Sequence, residues 1–259
     1  DRTLFADPLP TTDQMGWLSA RRTVLGACTV AFFATMVSRL VISPVVPAIS
    51  EEFTVSNSLI GVALSGMWLA YALSQFPSGL IGDRVGERLV ILVAVGGTAV
   101  ASLLLALSPH FAVFVLLTIG LGGAAGLHYS VATTLLSRTF EQTGTAIGIH
   151  SVGAPIAGLL APLTAAYTGT LFGWRYAIAL GAVVAVPSAL IVAWGIPATE
   201  PHRPDEPLHE RVRPSILGEL LSRPPIAGTL VLSVLAAFVW QGTASFLPTF
   251  LVEHRGYSE

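Results

Sequence analysis

The sequence contains no lysine; all 13 of its cationic side chains are arginine. It has one cysteine, Cys28, inside an apolar run, so no intrachain disulfide can form and no thiol cage for a metal is available. Cys28 reads as a small core residue. Charged residues make up only 11% of the chain, against about a quarter in an ordinary soluble domain. The net charge is −2, which offers no basic field to a nucleic acid. No Asp or Glu stands deep in any long apolar run. His-Glu-x-x-His and Gly-x-Ser-x-Gly are both missing, which removes the commonest routes to an intramembrane metallo- or serine hydrolase. His150 and Ser151 are adjacent, so on a helix they point in different directions. Without lysine there is no Schiff base for a retinal pigment. No metal and no cofactor is expected, and the chain is not expected to be an enzyme.

What is present is hydrophobicity. Apolar residues make up 53% of the chain, and the mean hydropathy is +0.73. A soluble fold of this length would have to cover its surface with side chains that water rejects, so the solvent that fits is lipid. A bilayer core of ~30 Å needs about 20 apolar residues in helix. Seven segments qualify, at 23–47, 57–80, 88–108, 110–135, 144–168, 174–196 and 225–251. They do not alternate as barrel strands do, and helices satisfy their own backbone groups where lipid cannot. The fold class predicted is therefore an all-α polytopic membrane protein.

Arginine placement sets the expected orientation. Arg2, Arg21, Arg22, Arg84, Arg88, Arg138, Arg203, Arg211, Arg213 and Arg223 fall on one side, against Arg175 and Arg255 on the other. This predicts a multi-pass protein of the plasma membrane with a cytoplasmic N-terminus. Residues 1–22 form a polar cytoplasmic segment, and 23–196 a six-helix transmembrane domain. Residues 197–224, with six prolines at 197, 201, 204, 207, 214 and 224 and a seventh at 225 directly after, form a cytoplasmic linker. Residues 225–259 begin a second half, and the stop at Glu259, directly after an apolar run, reads as a truncation. Residues 216–221 suit a short interfacial helix.

The second apolar segment ends in Gly79-Leu80-Ile81-Gly82-Asp83-Arg84-Val85-Gly86-Glu87-Arg88. Gly79 and Gly82 permit close helix approach, Gly86 permits a tight turn, and Arg84 and Arg88 can pair with Asp83 or with lipid phosphate. The sixth segment opens Gly173-Trp174-Arg175-Tyr176. The fourth carries Gly120, Gly122, Gly123 and Gly126, a small-residue face, and the fifth carries Gly148, Gly153, Ala154, Pro155 and Gly158. Together these resemble the major facilitator superfamily. Its signature between helices two and three runs Gly, three residues, Asp-Arg, one residue, Gly and a basic cluster. The match departs at Glu87, where the family usually has a second basic residue. The fourth segment also lacks the early arginine common in the family, and Ala154 stands where the antiporter-type motif has Gly. The resemblance covers essentially the whole chain, as the first half of a usual twelve-helix protein plus helix seven.

The resemblance implies that helices one, two, four, five and seven line a central cavity and that the 79–88 loop (Gly79, Asp83, Arg84, Gly86, Arg88) acts as a gate latch. Gly122, Gly126, Gly153, Pro155 and Gly158 are expected to pack helices. Arg39 is the one full charge well inside a span. It suits an anionic group gripped by guanidinium, with snorkelling to the outer interface as the alternative. Trp68, Tyr71 and Gln75, spaced i, i+3, i+7, share one helix face. His128 in the fourth helix and Trp240 and Gln241 in the seventh complete the candidate lining, and His150 lies near the cytoplasmic end of the fifth. The two histidines are the candidates for carrying a coupling proton. The expectation is secondary active transport of a small organic solute by alternating access, with a lean to anions, ion coupling, and the rest of the protein supplied in the same chain. The alternatives are a non-transporting sensor or binding protein of the same fold and an intramembrane enzyme.

Overall fold

A computed structural model describes residues 12–204, 214–236 and 238–239. The chain divides into two compact units, Asp1–Asp205 and Glu206–Glu259. Among the described residues the first unit is helical throughout: α1 (Thr12–Leu40), a 3-10 turn (Ser43–Val45), α2 (Val46–Phe53), α3 (Asn57–Val85), α4 (Glu87–Ala106), α5 (Phe111–Thr139), α6 (Thr143–Ser151), α7 (Gly153–Phe172) and α8 (Trp174–Gly195). Grouped by continuity, these make six spans long and apolar enough to cross a membrane; α1 with α2 forms one and α6 with α7 another. The described part of the second unit holds α9 (Pro214–Ser222) and α10 (Pro224–Ala236), an apolar helix too short to span by itself. The rest of the segment expected at 225–251 lies outside the described residues.

Both interruptions have a proline behind them. Pro44 cannot donate to the Leu40 carbonyl, and α1 stops there before a 3-10 turn carries the chain into α2. Pro155 likewise leaves the Ser151 carbonyl without an i+4 donor, and α6 gives way to α7 around Val152. Turns are short and capped. Ser56 Oγ accepts the Leu59 N–H at 3.4 Å, and His110 Nδ1 accepts the Val113 N–H at 3.4 Å. Gly86 and Gly173 take positive φ, 91° and 93°, where a side chain would be strained.

The spans run alternately between two rims. One carries the α3–α4 turn, the α5–α6 turn and the end of α8. The other carries α2, the α4–α5 turn and Gly173. The closest neighbours are α3 with α5, α4 with α5 and α8, and α1 with α7 and α8. Small residues permit this approach. A Cβ on Gly122 would run into the Met67 carbonyl, and one on Gly126 into the Tyr71 carbonyl. A Cβ on Gly153 would stand 3.0 Å from both Phe33 N and Thr29 O. Among the described residues a Cβ at Gly158 meets nothing within 4 Å, and Pro155 is exposed, so neither packs against another described helix. Buried side chains form one cluster around Ile49, Phe114, Leu121 and Trp174 and a second around Cys28, Ile91, Leu136 and Val192.

Candidate functional site

Arg39 sits in the last turn of α1 with 1% of its surface exposed. Helical side chains lean toward the N-terminus, and this one does so. Its Nε donates to the Thr35 carbonyl at 3.0 Å and its Nη2 to Met36 Sδ at 2.8 Å. It therefore turns into the bundle and does not snorkel to the nearer rim. Two rings of α3 cover the guanidinium. Its Cζ lies 3.9 Å from the Tyr71 ring centroid and 4.8 Å from that of Trp68, and the two rings meet edge to face at 5.8 Å. Such cation–π contacts are worth ~0.5–2 kcal/mol each, the more the drier the site. Nη1 is buried and, among the described residues, has no hydrogen-bond partner. The packing of α1 beside α3 thus brings Arg39 to the face that Trp68 and Tyr71 share. Gln75, half-buried on the same helix, has no side-chain hydrogen bond to them.

A second cluster stands toward the other rim. The rings of His128 (α5) and His150 (α6) are 5.5 Å apart, and both residues are fully buried. Phe32 of α1 packs against both, at 6.0 and 4.9 Å, and Tyr129 lies 5.7 Å from His150. The Cys28 backbone is near enough to interact with both imidazoles. None of the four ring nitrogens meets hydrogen-bond geometry with a described residue. Among the described residues no His, Cys, Asp or Glu group could hold a metal ion.

At the α3–α4 turn, Asp83 pairs with Arg138 of α5 at 3.1 Å, and Glu87 pairs with the same guanidinium through Arg138 Nη1. The pairing expected from Arg84 and Arg88 is thus made by Arg138. Arg88 instead donates from Nη2 to the Ala193 carbonyl at 2.6 Å, and Arg84 is exposed. Gly82 faces Val131 and Gly79 faces Ser130, each within 3.4 Å of where a Cβ would sit. Glu87, the departure from the family pattern, is buried; its Oε2 has no partner.

At the opposite rim Glu52 accepts from Trp174 Nε1 at 2.6 Å and pairs with Arg175, whose Nη2 also donates to the Ser108 carbonyl at 3.0 Å. Trp174 is buried between Phe53 and Phe114. Sequence reasoning gave no partner to Glu52, Glu87 or Arg138. Glu87 stood out only as a departure from the family pattern, and Arg138 only as part of a topological bias. Trp240 and Gln241 lie outside the described residues.

A family model described as Major Facilitator Superfamily matches residues 28–259. The uncharacterized MFS-type transporter YceJ of Bacillus subtilis (strain 168) is 30% identical over 241 residues, 85% of this chain and 57% of that protein. A probable sulfoacetate transporter, SauU, of Cupriavidus necator is 28% identical over 169 residues, 64% of this chain and 39% of that one. The chain thus spans little more than half of the first relative and less of the second. A crystal structure of a bacterial homologue of the human lysosomal transporter Spinster, inward-facing and unoccupied, matches with a TM-score of 0.66 at 21% identity. That match covers 92% of this chain and 57% of the other and concerns the fold.

Proposed function

We propose, from the premise that this chain belongs to the major facilitator superfamily, that it forms one wall of a secondary transporter moving a small organic anion across the plasma membrane by alternating access. The observation that carries the reading is the buried Arg39 with Nη1 unpaired. A guanidinium withdrawn from water needs a counter-charge, and its described contacts are two ring faces, the Tyr71 side chain, a carbonyl and a thioether, none of them a carboxylate. A carboxylate, sulfonate or phosphate reaching Nη1 would supply one, with the short charge-assisted bond that guanidinium favours. The name of the sulfoacetate relative suits an anion of this size.

Trp68 and Tyr71 hold the guanidinium plane and present apolar surface to the organic part of the solute. His128 and His150 are the proton-carrying candidates for ion coupling, and Gln75, Trp240 and Gln241 complete the lining. The α3–α4 turn serves as gate latch on the cytoplasmic rim, where the arginine bias also places the N-terminus. The six-helix domain, the linker from 197 and the helix from 225 then form the first part of a two-half carrier.

The test is uptake by the complete protein in proteoliposomes, with a panel of small carboxylates, sulfonates and phosphate esters. Arg39→Ala is expected to abolish uptake of the active anion while the protein still purifies as a folded species. Arg39→Lys should retain only a fraction, since an ammonium cannot reproduce the planar fork. Full uptake in Arg39→Ala would remove Arg39 from the site.

A further inference from the structure

The polar segment after α8 does not leave the six-helix unit at once. Thr199 lies over the α3–α4 turn. Its hydroxyl accepts the Arg88 N–H at 3.0 Å, and its carbonyl occupies the space that a Cβ on Gly86 would need. Three residues on, the N–H groups of His202 and Arg203 both donate to the Asp83 carbonyl at 2.9 Å. His202 Nδ1 lies 3.0 Å from Arg138 Nη1 and 3.7 Å from Glu87 Oε1. Ile196, at the start of this stretch, is buried. Residues on α3 (Asp83), α4 (Glu87, Arg88) and α5 (Arg138) thus hold one short piece of chain that the sequence pattern alone marks as linker.

Each part has a physical reason. Gly86 supplies both a positive φ and the absence of a side chain, so the turn can be crossed by another strand of backbone. The Asp83 carbonyl sits near the end of α3, where helix carbonyls lack intrahelical donors, and the crossing segment donates twice. Glu87 gives Arg138 a second carboxylate beside Asp83, and Arg138 Nη1, the atom that pairs with Glu87, is the one beside His202. The acidic residue that breaks the family pattern is therefore part of the clasp.

We infer that residues 197–204 are a strap belonging to the gate turn, and that it couples the turn to the first residues of the interdomain segment. The turn cannot tilt without stretching the Thr199, His202 and Arg203 hydrogen bonds. Thr199, His202 and Glu87 are accordingly positioning residues for the conformational cycle. The inference goes beyond the transport reading and does not depend on what Arg39 binds.

Hydrogen–deuterium exchange on the complete protein in nanodiscs tests it, with peptides covering 82–90 and 196–204. In the unaltered protein both peptides should be protected together. Thr199→Val removes the acceptor for the Arg88 N–H, and Glu87→Gln weakens the hold on Arg138. Each should speed exchange of the strap amides on the order of tenfold, the worth of one such bond, and leave peptides inside α4 and α8 unchanged. Spin-label distances across the rim should shift in the same variants, and kcat should change with KM unaltered. Random-coil exchange of 196–204 in the unaltered protein would overturn the strap. Strap exchange or distance distributions unchanged in both variants would also overturn it. Loss of the anion reading through Arg39→Ala would leave these readouts untouched.

Discussion

Gly126→Ala offers a sharp test of how packing holds the site. The alanine Cβ would overlap the Tyr71 carbonyl oxygen and lie 2.9 Å from both its carbon and Cα, where ordinary contact starts at 3.4 Å. Helix α3 must therefore withdraw by about 1 Å along its crossing with α5, and a gap of that size forfeits roughly half of the local dispersion energy. Overpacking of this kind costs ~1–3 kcal/mol. Against it stands the ~0.5–1 kcal/mol that alanine contributes over glycine inside a helix. The net expectation is a loss of about 1–2 kcal/mol. Gly158→Ala is the matched control, since its Cβ meets open space and only the helix preference acts. The buried Cys28 is the natural reporter: a thiol-reactive dye reads its exposure on heating, with any cysteines beyond this chain replaced by serine. Gly126→Ala should unfold at lower temperature than the parent and Gly158→Ala at equal or higher temperature. The retreat of α3 also carries Tyr71 from the guanidinium it covers at 3.9 Å, so ligand affinity should fall in the first variant alone. Identical melting of the two alanine variants would refute the claim that the α3–α5 crossing is in backbone contact.

Other substitutions probe the remaining parts. Asp83→Asn should reduce turnover more than substrate affinity; an equal fall in both, measured as kcat beside Kd, would remove the latch role. Glu52→Gln should cost on the order of 1 kcal/mol or less, because both partners of the Arg175 pair are partly exposed, and Arg175→Gln added to it should cost little more in a double-mutant cycle of melting temperatures. His150→Phe should leave the melting temperature nearly unchanged, since neither ring nitrogen makes a hydrogen bond. If His150 carries the coupling proton, the same variant loses the pH dependence of uptake, and an unaltered pH profile would remove it from coupling.

The spans were legible because their cause is local. Twenty consecutive apolar residues mean the same thing wherever they occur, and the prolines at 44 and 155 act on the carbonyls one turn behind them. The Trp68–Tyr71 pair was legible for the same reason, since i, i+3 spacing fixes a shared face. Arg39 could be singled out by its cost, and its docking against that pair required knowing that α1 and α3 expose these faces to one another. What remained hidden was long-range. Arg138 and Glu87 are fifty-one residues apart, and nothing in either neighbourhood names the other. The same holds for Glu52 with Trp174, and for the crossing of Gly86 by Thr199. Proline content made 197–204 read as free linker, yet proline only denies a segment its own helix. It does not stop the segment from lending N–H groups to a neighbouring helix end.

If Arg39 holds the solute as proposed, its aromatic enclosure also bears on the half of a transport cycle in which nothing is carried. A cation whose counter-ion departs with the cargo is left stranded, and a carrier so stranded would stall or flood its interior with water before resetting. Two ring faces and a carbonyl that never leave give this charge a permanent, second-best home. Because an anion would approach the free Nη1, these contacts would persist in both the loaded and the empty carrier, so release of the cargo would not leave a bare charge.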